Sequence, residues 1–137
     1  MNLARAIHAR WAALENLNRL LSADRVTSGT HAQTASEQAG AVVLLTGGTI
    51  DSHFNDGTLL ASLLVRIVVR HPECGAGRAI VAAAWQGFDR AELPLDGGSK
   101  VICMQPAAAP SETQDPRTRL WQWVLDFECL AHLLIPT

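Results

Sequence analysis

The chain has 137 residues, 48% of them hydrophobic and 18% charged, with a formal net charge of −2. That is enough chain for one domain with a real hydrophobic core, and the charge balance excludes the basic excess by which nucleic-acid binders neutralise phosphate. The N-terminal segment carries Arg5, His8 and Arg10 and lacks the apolar core of a signal peptide. No apolar run approaches the roughly 18 residues of a membrane span, so a soluble, non-exported protein is expected.

Residues 2–21 predict a helix, because Leu3, Ile7, Trp11, Leu14, Leu17 and Leu21 recur at spacings of three and four. A polar stretch over 22–40 shows no period and reads as a long loop of the kind that serves a partner. Ala41–Leu45 predicts a short strand. The Asn55-Asp56-Gly57 turn signal then puts 51–58 in a second loop. Across Leu59–His71, Leu63, Val65, Ile67 and Val69 alternate with Leu64, Arg66, Val68 and Arg70, which predicts a strand with two arginines on its outer face. Pro72 ends it.

Residues 75–88 predict a second helix with Ile80, Val81, Ala84, Trp85 and Phe88 on one side. Asp96-Gly97-Gly98 signals a hairpin between Ala91–Leu95 and Ser99–Met104. Three prolines fall within "QPAAAPSETQDPRTR", so 105–119 reads as a third long loop. In "LWQWVLDFECL", Trp121, Trp123, Leu125, Phe127 and Cys129 point one way and Gln122, Val124, Asp126 and Glu128 the other. Trp11 and Trp85 are expected to cover the apolar face of that last strand, a packing role that accounts for the aromatic residues without a ligand pocket. The order α-β-β-α-β-β-β predicts an α+β fold with a mostly antiparallel sheet and two helices on one face.

Several motifs invite chemistry. Leu45-Thr46-Gly47-Gly48-Thr49-Ile50 is similar to the opening of L-asparaginases, where the second threonine is the nucleophile. Such a nucleophile needs a base and an oxyanion site. The chain has no second G-T-D-T-like cluster, and its only lysine, Lys100, follows a hairpin turn. That family's fold also needs well over twice this length. Gly47-Gly48 are therefore expected to turn or bulge the chain. Gly75-x-Gly77 after a strand is similar to a dinucleotide fingerprint, but Ile80 stands where a small residue belongs and Glu73 would oppose a pyrophosphate.

His31, His53 and His71, with Asp51 or Asp56, lack the helical spacing of a metal site. Asp126 and Glu128 share a strand face, which solvent-facing alternation explains without catalysis. Cys74, Cys103 and Cys129 form no C-x-x-C pair and read as reduced, buried thiols. Ten of the eleven cations are arginine, a residue suited to protein interfaces. No catalytic residue, cofactor or metal is assigned.

Taken whole, the sequence resembles the small phage tail-terminator and tail-completion proteins, including their prophage and gene-transfer-agent relatives. The resemblance runs through "LARAIHARWAALENLNRLL", "AVVLLTGG", "LLVRIVVRH", "GRAIVAAAWQGFDR" and "RLWQWVLDFECL" in that order. It implies a structural virion protein at the tail–head joint, assembled in the host cytoplasm. It implies a ring, typically hexameric, that caps the tail tube and meets the head connector.

Its partners would then be itself, the tail tube protein and the head–tail connector protein, with no membrane and with DNA only passing through the lumen. Asp51, His53, Asn55, Asp56, Arg66, Arg70, Asp126 and Glu128 are the candidate interface residues. The last four can instead pair within one sheet or stay solvated. The competing readings are a small α+β binding module with Trp85 and Trp123 near its pocket, and an amidohydrolase using Thr49.

Overall fold

The computed structural model describes residues 2–29 and 39–134; the part of the 22–40 segment from 30 to 38, His31 included, lies outside them. Helix α1 (Leu3–Ala13) starts where the Asn2 side chain accepts the Arg5 N–H, and it buries Leu3, Ile7 and Trp11. The single helix expected to residue 21 breaks at Leu14 (φ −81°, ψ 95°), and α2 (Glu15–Leu20) resumes with Leu17 buried. The break is fixed by tertiary structure. Leu14 packs against Gly87, while Trp11 Nε1 donates to the Leu21 carbonyl at 2.8 Å and folds the end of α2 back on α1. A 3-10 turn over Ala23–Arg25 leads into β1 (Val26–Ser28).

Strands β2 (Gly40–His53) and β3 (Thr58–His71) form one long hairpin, followed by α3 (Cys74–Phe88). Then come β4 (Leu93–Pro94), β5 (Lys100–Pro106), β6 (Ser111–Gln114) and β7 (Trp121–Leu134). The sheet runs β1-β2-β3-β7-β5-β4, with β6 also on β7. Only β1–β2 is parallel, so the α+β, mostly antiparallel expectation holds. The period-2 pattern identifies the buried face correctly. Val65, Ile67 and Val69 of β3 and Leu125, Phe127 and Cys129 of β7 are almost fully buried beneath the helices.

Several loops are shorter than the sequence suggests. Strand β2 continues through 46–53 because the Leu59–His71 partner supplies a ladder that outweighs two glycines. The Gly-Gly pair does not turn the chain. It follows a bulge between Leu45 and Gly47, and a second bulge falls between Ile50 and Ser52. At Gly48 a Cβ would meet Leu63 Cδ2 at 3.0 Å and the Ser62 carbonyl at 3.3 Å, so a side chain there would have to displace its neighbours by a few tenths of an ångström. The real turn is 54–57, with Gly57 at φ +83°. Likewise 105–119 holds the end of β5 and all of β6, while the strand expected over 91–95 shrinks to Leu93–Pro94.

The layer above the sheet is held by aromatic rings. Trp11, Phe88, Phe127 and Trp85 form a chain with centroid separations of 6.3, 6.2 and 5.8 Å. Arg10 donates from Nε and Nη2 to the Gly87 carbonyl at 3.1 and 2.8 Å, so a cation of α1 caps the C-terminal end of α3.

Candidate functional site

The β2–β3 hairpin outruns its cover. Strand β1 pairs β2 at Ala41, Val42 and Val43, and among the described residues no strand pairs the outer edge of β2 from Leu44 to His53. Directly opposed residues share a face, so Leu45 opposite Val65 and Ile50 opposite Ala61 lie on the helix side of the sheet. No helix reaches them: Leu45 is 56% and Ile50 58% exposed, and Phe54 at the tip is 46% exposed. Roughly 30 Å of edge strand therefore exposes Leu45, Ile50 and Phe54, an arm of the sheet whose inner strand β3 stays paired with β7 down to Thr58. Sequence reading misses it because the Gly-Gly pair after Leu45 ends the predicted strand Ala41–Leu45, which leaves Ile50 outside it.

The predicted interface residues divide between this arm and the opposite face of the sheet. Asp51 is exposed on β2, accepting from Ser62 Oγ at 2.6 Å and from Thr49 Oγ1 at 3.4 Å. His53, Asn55 and Asp56 are exposed around the tip. Asp56 Oδ1 accepts from the Thr58 N–H and hydroxyl at 3.0 and 2.6 Å, and those bonds hold its carboxyl below the usual value.

On the outer face, Arg66 Nε and Nη2 donate to the two Asp126 oxygens at 2.8 and 3.2 Å, and Arg70 Nε donates to Gln122 Oε1 at 3.0 Å. These partners are cross-strand neighbours in one sheet, so Arg66 and Asp126 pair within the chain and Arg70 bonds to a neutral amide. The Asp126 carboxylate raises the Arg66 pKa. Between the two arginines, Val42, Val68 and Val124 stand opposite one another on β2, β3 and β7. Arginine stems flanking them leave Val68 only 8% exposed although it faces away from the core. Glu128, opposite Leu64 and Gln105, is half-buried on the same face.

At the far edge of the sheet, β6 is clasped to α3 by a residue the sequence did not single out. Glu112 accepts Arg78 Nε and Nη2 at 2.7 and 2.9 Å and Trp123 Nε1 at 2.7 Å. These bonds lower the Glu112 pKa to about 2. A hollow of about 590 Å³ opens beside this clasp, lined by Val81, Ala82, Trp85 and Gln86 of α3 with Pro110 and Trp123. Trp85 and Trp123 were named from sequence as residues near a pocket, and both line this hollow, whereas Glu112 was not singled out.

Thr49 lies on an exposed strand, and its hydroxyl donates to the Asp51 carboxylate at 3.4 Å. Gly75 and Gly77 lie in the first turns of α3, as a helix start following a strand requires. Among the described residues no three His, Cys, Asp or Glu side chains cluster as metal ligands would. Cys129 is buried, and desolvation pushes its thiol up to about 12; Cys74 and Cys103 are half-buried, short of the full burial expected. No helix among the described residues is long and apolar enough to cross a membrane.

These features define an α+β fold in which a mixed sheet carries its helices on one face and extends a long hairpin past them. The same fold is found in a chain of the virion of a native gene transfer agent particle. The likeness has a TM-score of 0.71 at 16% identity and covers 96% of this chain and 95% of that one. No family model matches the chain, nor does the sequence of any curated protein.

Proposed function

We propose that this protein is a structural component of a phage-like virion, acting without catalysis as a tail terminator. In this reading copies of the chain form a ring, expected to be a hexamer, that caps the tail tube and joins it to the head connector. DNA passes only through the lumen, and assembly takes place in the host cytoplasm. The observation that carries the reading is the end-to-end agreement in fold with a gene transfer agent virion chain. The order of sequence elements supports it independently. A non-catalytic role is supported by Thr49, which stands exposed on an open strand instead of in a cleft, with only the exposed Asp51 carboxylate accepting from its hydroxyl among the described residues.

The test is light scattering on the purified chain, alone and with the tube protein encoded beside it. A closed oligomer that binds tube ends and stops their growth is the expected result. A strict monomer that ignores tube subunits would refute the reading, as would asparagine or glutamine hydrolysis abolished by Thr49→Ala.

A further inference from the structure

Strand β6 is attached to the protein more as a bound peptide is than as a strand of the core. Every residue from 107 to 119 is exposed, and none belongs to the buried cluster beneath the helices. By contrast β5, which precedes it along the same edge of β7, buries Val101 and Met104 completely. Four register pairs, from Ser111–Val124 to Gln114–Trp121, join β6 to the sheet, and Glu112 reaches across to α3.

We infer that β6 occupies in cis a strand-binding site built by β7 and α3. In trans the site takes an extended segment of a partner protein, with a carboxylate at the Glu112 position and a large apolar side chain two residues before it. The inference stands apart from the tail-terminator reading and does not rest on it.

Three observations carry it. First, the receiving side is built from α3 and β7, with the buried Trp123 ring packed on Gly77. Second, the anchor reads a carboxylate. Arg78 Nε and Nη2 address the two Glu112 oxygens at 2.7 and 2.9 Å, Trp123 Nε1 donates at 2.7 Å, and the Cys74 thiol lies 3.9 Å from Oε1. A neutral amide there would turn its own N–H groups on one of these donors.

Third, the site is larger than its occupant. Pro110 and Glu112 both line the hollow of about 590 Å³, whose other wall is Val81, Ala82 and Trp85. A leucine or phenylalanine in place of the compact Pro110 ring would extend over Trp85, and it would restore a ladder N–H that proline lacks. The return turn to β7 also holds Arg119 at φ +61°, a left-handed conformation that arginine disfavours. The resident strand therefore owes its place to tethering and to the Glu112 anchor. It shields the β7 edge from indiscriminate pairing and yields to a segment that also satisfies Arg78.

The probe is a fluorescein-labelled peptide of residues 109–115 carrying Pro110→Leu, titrated into the full chain by anisotropy. Saturable binding is expected, with faster tryptic cleavage after Arg117 and Arg119 as β6 is displaced. Glu112→Gln in the chain weakens the resident and should tighten peptide binding at least about tenfold, and the same change in the peptide should weaken it as much. Thr113→Cys with Gln122→Cys, directly opposed in register, pins β6 when oxidised. Peptide binding should vanish in that locked chain, its cross-link confirmed by peptide mapping, and return on reduction. Should Glu112→Gln unfold the chain, the locked and reduced pair alone decides.

No saturable binding, equal binding to locked and reduced chains, or a peptide indifferent to its own glutamate would overturn the inference. Slower cleavage with peptide bound would mean addition to the outer edge of β6 and would overturn it too. So would self-association of the Glu112→Gln chain without peptide binding, which gives the site to β6 of a second copy. None of these results bears on the capping of tube ends, which tests the tail-terminator reading separately.

Discussion

Gly77 of α3 lies against the indole of Trp123 so closely that a methyl at its Cβ position would sit 2.0 Å from Cη2. Two turns of sequence logic meet there. Glycine in a helix is unfavourable by about 1 kcal/mol relative to alanine, yet here only glycine lets α3 settle on β7. Gly75, two residues earlier, has nothing within 4 Å of its Cβ position. Gly77→Ala should therefore destabilise the fold by about 1–3 kcal/mol or more through overpacking. Gly75→Ala should stabilise it by about 0.5 kcal/mol. Urea denaturation of both variants checks the opposite signs.

Trp11 is fully buried and its indole N–H satisfies the Leu21 carbonyl. Trp11→Ala should cost about 3–5 kcal/mol, as large aromatic truncations do, a large share of a typical domain's total stability. Trp11→Phe keeps most of the packing but orphans the carbonyl, and should cost about 1–3 kcal/mol. Thermal melts of the two variants give the ranking.

The clasp on Glu112 should respond to acid. Its carboxyl ordinarily titrates near 4.5 and does so at about 2 in the folded chain. A depressed carboxylate pKa contributes stability that is present above 4.5 and is lost as pH falls toward 2. The 107–120 segment should thus stay docked at neutral pH and loosen progressively below pH 4.5. Glu112→Gln should loosen it at pH 7, read as faster tryptic cleavage after Arg117 and Arg119, both exposed in that segment. Unchanged cleavage rates would show that the clasp does not hold β6.

The three thiols should divide by reactivity. Thiolate is the reacting species, so Cys129, with its pKa near 12 and its side chain in the core, should resist iodoacetamide until the protein unfolds. Cys74 and Cys103 are accessible enough to label in the native state. Mass spectrometry over a time course, with and without denaturant, distinguishes two early modifications from three.

Strands β3 and β7 were legible because alternation directly encodes which face is buried, and the register confirms it from Leu63 opposite Cys129 to Val69 opposite Trp123. Helix α3 was legible from Ile80, Val81, Ala84 and Phe88 for the same reason at a different period. The arm was not, because Gly47-Gly48 and Asn55-Asp56-Gly57 carry strong local turn signals. Only the distant strand β3 overrides the first of them. The break at Leu14 was equally invisible: its side chain continues the apolar stripe, and the backbone departs because of Gly87, distant in sequence. Of the candidate site, the acidic tip and the outer-face arginines were named from sequence. Glu112 was not, since its bonds come from Arg78, Trp123 and the Cys74 thiol, which the fold alone assembles.

Strand β7 borders β3 on one side and both β5 and β6 on the other. A chain emerging from the ribosome makes every other strand before the one that joins them. Until residues 121–134 arrive, the β2–β3 hairpin must wait with the inner edge of β3 unpaired, and the sheet cannot zip from its centre. Synthesis of this protein is therefore a race between completing a keel and losing the half-built hull to aggregation.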